Sequence, residues 1–127
     1  MQRGSMPKPS ERAKAAFLAL LPGDAGDAAI TTKPMFGNLA AWVNGNMFAG
    51  LFGDDLFVRL PEAEMDEVKR DGGSNFEPIA GHAMKGYVTV PPGWLDDAAP
   101  ARKLIDRSLE YTRELPTKQK KPAKKRG

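Results

Sequence analysis

The block from Met35 to Leu60, MFGNLAAWVNGNMFAGLFGDDLFVRL, constrains the fold of this chain more than any other stretch. Most of its residues favour β structure or are small and apolar, and two short turn signals cut the run. Asn44-Gly45 and Gly53-Asp54 are residue types that reach the positive φ angles of a tight hairpin. Strands this close together can only fold back on one another. The block predicts a three-stranded antiparallel meander at the centre of the domain.

Two-residue loops fix the register. Across the first turn Val43 should face Asn46 and Trp42 should face Met47. Across the second, Phe52 should face Asp55, Leu51 should face Leu56 and Phe48 should face Arg59. Strict alternation then gathers Ala40, Trp42, Met47, Ala49, Leu51, Leu56, Val58 and Leu60 on one side, the expected core. The other side gathers Ala41, Val43, Phe48, Gly50, Phe52, Phe57 and Arg59. Phe48, Phe52, Phe57 and Arg59, aromatic rings with one cation, make that second side the candidate interaction face. Gly50 opposite Phe57 also has a structural reading, an aromatic ring covering a strand glycine.

Helices flank the block. Ser10 can cap a helix whose apolar positions are Ala13, Ala16, Phe17, Leu20 and Leu21, ended by Pro22-Gly23. Gly23–Ala29 reads as a small-residue linker, and Thr31–Phe36 leads into the sheet. Pro61 suits the start of a second helix, acidic at its beginning, basic at Lys69-Arg70 and stopped by Gly72-Gly73. Phe76–Ile79 and Met84–Val90 read as two strands around Gly81-His82. A last helix starts near Asp97 and buries a stripe of Ala101, Leu104, Ile105, Ser108, Leu109, Thr112 and Leu115. The expectation is an α+β domain over residues 10–116: an antiparallel sheet of five to six strands, helices on one face, ordered α-β(3–4)-α-β(2)-α.

The net charge of +3 is unevenly placed. Residues 117–127, TKQKKPAKKRG, hold Lys118, Lys120, Lys121, Lys124, Lys125 and Arg126, which leaves 1–116 with a balance of −3. Such a segment predicts disorder and nonspecific phosphate binding by counterion release, so nucleic acid is one candidate partner. The opening MQRGSMPKPS has no apolar core of a secretory signal; residues 1–9 read as a disordered lead-in with a Gly-Ser-Met cloning scar. No apolar run is long enough to span a membrane, and no cysteine is present. A cytoplasmic location without membrane contact is expected.

No catalytic constellation emerges. His82 is the only histidine and has no carboxylate cluster beside it in sequence. Asp54-Asp55 fits turn chemistry and Asp96-Asp97 helix capping. Phosphate-binding glycine motifs, metal-ligand spacings and a nucleophile elbow are all missing, and Ser108 falls in a helical stripe. The residues therefore predict no enzyme, no cofactor and no metal.

The motif around the hairpins resembles a known family. Lys33, Met35, Phe36 and Gly37, then Gly45, Met47, Phe48 and Ala49, then Leu56, Arg59 and Leu60, are similar to the N-terminal domain of the bacterial TfoX/Sxy competence regulators. Met84, Lys85 and Tyr87 are similar to its later strand, and the likeness runs roughly from Pro9 to Leu115. Asn38 stands where the family often has a second glycine. Full-length regulators carry a further domain, whereas here a lysine-rich tail follows. The resemblance implies an α+β fold and a non-enzymatic regulatory role exercised on a protein partner. A homodimer through the same surface is a further expectation.

Overall fold

Both turn signals fold as their residues dictate. Asn44 and Gly45 adopt φ of 53° and 79°, and Gly53 adopts 64°, so the chain reverses with two residues each time. The computed structural model describes residues 8–22, 30–35, 38–78 and 81–116. The meander has four strands rather than three: β1 (Ile30–Met35), β2 (Asn38–Val43), β3 (Asn46–Phe52) and β4 (Asp55–Arg59). Helix α1 (Glu11–Leu20) precedes them, and α2 (Glu62–Arg70) follows. Then come β5 (Ser74–Asn75), β6 (Tyr87–Thr89), one 3-10 turn at Trp94–Asp96 and α3 (Ala98–Arg113). The order matches the expectation.

The six strands form one sheet in the order β1-β2-β3-β4-β6-β5, every neighbouring pair antiparallel. Because β4 and β5 both run opposite to β6, they run parallel to each other, and α2 links them around the inserted β6. Strand β6 is shorter than the predicted Met84–Val90, and β5 lies just before the predicted Phe76–Ile79, whose described residues form no strand. Phe76 follows β5 and stacks its ring on Phe57, with centroids 4.0 Å apart. Ile79 lies outside the described residues, as do Phe36, Gly37, the linker 23–29 and the segments 1–7 and 117–127.

The helices pack on one side of the sheet. Phe17 of α1, Val68 of α2, and Ile105 and Leu109 of α3 share a cluster with Phe48, Leu51, Val58 and Val88. Ser10 caps α1, its hydroxyl accepting from the Ala13 N–H at 3.0 Å, while its own N–H donates to Asp54 at 2.9 Å. Arg107 of α3 donates twice to the Glu64 carboxylate of α2, both at 2.6 Å, a bidentate clamp. Asp97 occupies the N-cap position of α3, but its side chain makes no cap bond. Asp96 instead pairs with Arg12.

One irregularity decides which residues face where. Trp42 pairs with Met47 as expected, but Ala41 pairs with Ala49, so Phe48 is an extra residue in β3. This bulge reverses the alternation on one side of it. Phe48, Ala41 and Val43 turn to the helices, and Ala40, Trp42 and Met47 turn away from them, the opposite of the strict-alternation expectation. The pairs beyond the bulge, Gly50 with Phe57, Leu51 with Leu56 and Phe52 with Asp55, keep the expected register.

A bulge also strands backbone groups. Continued alternation would bond Phe48 to Arg59; instead the Ser108 hydroxyl of α3 stands between them. It accepts from the Arg59 N–H at 3.2 Å and donates to the Phe48 carbonyl at 2.5 Å. The neighbouring Met47 carbonyl accepts from the Tyr87 hydroxyl at 2.9 Å. Both carbonyls of the irregular step are thus satisfied by side chains from distant elements.

Candidate interaction face

The side of the sheet away from the helices has its own small core. Ala40, Met47, Phe57, Phe76 and Tyr87 are buried there, with Trp42, Phe52 and Met84 half-buried around them. The Phe76 ring stacks on Phe57 on this side, and the Met84 N–H donates to the Phe76 carbonyl at 2.8 Å. Gly50 makes the arrangement fit. A Cβ there would lie 2.6 Å from the Phe57 ring and 3.0 Å from the Ala40 Cβ.

The four residues singled out from sequence are therefore divided. Phe48 is a correction: the bulge sends it into the helix-side core, where it has no exposed surface. Phe57 is on the second side but fully buried beneath Phe76, so it supports the face without reaching solvent. Phe52 is half-buried at one end, edge-on to Phe76 at 5.6 Å. Arg59 is half-buried at the other end, its guanidinium 5.5 Å from the centre of the Tyr87 ring. The six basic residues of the tail lie outside the described residues.

Around Arg59 the structure assembles residues that alternation had misplaced or left unassigned. Trp42, Gly45, Asn46, Met47, Arg59, Met84 and Tyr87 line a concavity of about 230 Å³. The Lys33 ammonium of β1 lies 4.7 Å from the centre of the Trp42 ring. Two cations thus stand over two aromatic rings, and among the described residues no carboxylate forms an ion pair with either. Burial pushes the Tyr87 phenol above its ordinary pKa, against the opposing influence of Arg59. It therefore stays protonated and keeps donating to Met47.

His82 is exposed, and Ser108 is committed to the backbone of the bulge. Among the described residues no group of three or more His, Asp or Glu side chains could hold a metal ion. No helix of the described residues is long and apolar enough to cross a membrane.

The fold and this face define a small antiparallel α+β domain whose sheet, opposite its helices, carries an aromatic concavity with Arg59 in its lining and Lys33 beside it. Residues 25–112 match the TfoX N-terminal domain, and the chain belongs to that family. It is a TfoX N-terminal domain-like protein. No curated protein and no solved structure matches the chain.

Proposed function

We propose that this domain acts without catalysis, as a regulatory module that contacts a protein partner through the face bearing Trp42, Phe52, Arg59 and Tyr87. The observation that carries the reading is the pair of cations, Lys33 over Trp42 and Arg59 over Tyr87, at the rim of an apolar concavity. Trp, Tyr and Arg are the side chains that dominate protein interfaces, because each combines a large apolar body with a polar tip. Cations that pair with no carboxylate among the described residues suit the carboxylates of a partner.

Affinity capture with the wild-type chain and with Trp42→Ala and Arg59→Glu as baits tests this. Both side chains are only half-buried, so the variants should melt near the wild type while losing the captured protein. Equal capture by all three baits would remove the face from consideration.

The Lys-rich tail supports a second reading, nonspecific binding of nucleic acid. Six cations within residues 117–127 can displace condensed counterions from phosphates. Titrating DNA and RNA with the full chain and with residues 1–116 at two salt concentrations tests it. Binding that depends on the tail and falls steeply with salt supports it; undiminished binding by 1–116 refutes it.

A further inference from the structure

The face opposite the helices carries opposite charge at its two ends, and one strand spans both. Strand alternation points Asp55, Phe57 and Arg59 of β4 to the same side, and Phe57 lies in that side's cluster. At the Asp55 end, a concavity of about 420 Å³ is lined by Phe52, Asp55, Phe76 and Glu77 among others, and its charged groups are both acidic. At the Arg59 end, the charged group of the concavity is a cation, with Lys33 beside it over Trp42. Among the described residues neither Asp55 nor Arg59 has an ion-pair partner.

We propose that the partner on this face is a second copy of the chain, in an isologous dimer whose two-fold axis lies in the interface and crosses β4 near Phe57. The proposal rests on the reading of this face as a protein contact, and it names the protein. Rotation about such an axis reverses the direction of β4 while keeping it opposite itself. Asp55 of each copy then meets Arg59 of the other, and the contact forms twice. An axis running along the strands would set acid against acid and is disfavoured. A wholly acidic partner would serve the Arg59 end and leave Asp55 and Glu77 facing like charge; a second copy serves both ends. Phe52 at the acidic end and Trp42 and Met84 at the Arg59 end, each half-buried in one copy, supply apolar contact beside the charges.

Sedimentation equilibrium of the full chain, over a range of concentrations at low and moderate salt, tests this. The wild type should self-associate. Arg59→Glu and Asp55→Arg should each weaken association by about tenfold or more, since each change disturbs two ion pairs per dimer. An equimolar mixture of the two variants should recover it, because every 55–59 contact in the mixed dimer again joins opposite charges. The double variant Asp55→Arg/Arg59→Glu should recover it within one chain, which separates loss of the interface from failure to fold.

A chain that stays monomeric throughout overturns the proposal, as does a dimer indifferent to both single changes. If the monomeric chain captures a different protein in an Arg59-dependent way, the dimer falls and the contact face stands. If capture is also independent of Arg59, both fall.

Discussion

At the scale of single residues, two small side chains carry more of this fold than their size suggests. Ser108 is fully buried and satisfies two backbone groups that the β3 bulge leaves apart. Ser108→Ala should destabilise the domain by about 2–3 kcal/mol, the cost of leaving such groups buried without partners, read by denaturant titration. Gly50 has no side chain because the Phe57 ring occupies that space. Gly50→Ala would push a Cβ against the ring and should cost about 1–3 kcal/mol by overpacking. Replacing Phe57 with Leu in the same chain should recover part of that loss, since it removes the clashing ring atoms; a loss unchanged in the double variant would sink this account. Asn38, which stands where the family often has glycine, has a visible task here. Its side-chain oxygen accepts from the Gly53 N–H at 2.8 Å, tying the start of β2 to the second hairpin turn.

At the scale of elements, α2 is held to α3 by the Arg107–Glu64 clamp as well as by apolar packing. The hydrogen bonds from Arg107 hold the Glu64 carboxyl below its ordinary pKa. A depressed carboxylate pKa adds stability above the unfolded value, and that increment is lost as pH falls through the folded value. Thermal melts across the acid range should therefore show wild type above Glu64→Gln at neutral pH, the gap closing in acid; a gap constant with pH would refute the assignment. Most of the element plan was legible in the sequence because turns and helix ends announce themselves chemically. Asn44-Gly45, Gly53-Asp54, Ser10 and Pro61 each mark a boundary that the structure keeps within a residue or so. The facing of β2 and of the start of β3 was not legible. Both alternations of NMFAGLF are apolar, so no pattern of polarity could reveal that Phe48 is one residue too many. Strict alternation consequently puts Phe48 on the outer face and Trp42 in the core, the reverse of the structure. Of the expected site, Phe52 and Arg59 remain half-accessible, while Lys33 and Tyr87 reach Trp42 and Arg59 only through the fold.

At the scale of the whole molecule, charge is segregated twice: between the body and residues 117–127, and between the two ends of the outer face. Self-association that depends on exposed ion pairs should weaken as salt rises, because screening shortens the reach of surface charges to about 8–10 Å near physiological ionic strength. Sedimentation at two salt concentrations reads this directly; a salt-insensitive dimer would point to apolar contact alone. The splice at the bulge has a further consequence, in time rather than space. Strands β1 to β4 are neighbours in sequence and close on one another through local contacts, which form early. Ser108 reaches Arg59 across 49 residues and Phe48 across 60. Until α3 docks, the Arg59 amide has no partner in the ladder and exchanges with water. In a refolding experiment pulsed with deuterium, that one amide should gain protection after those of Phe57 and Leu51, marking the moment at which the last helix closes the domain.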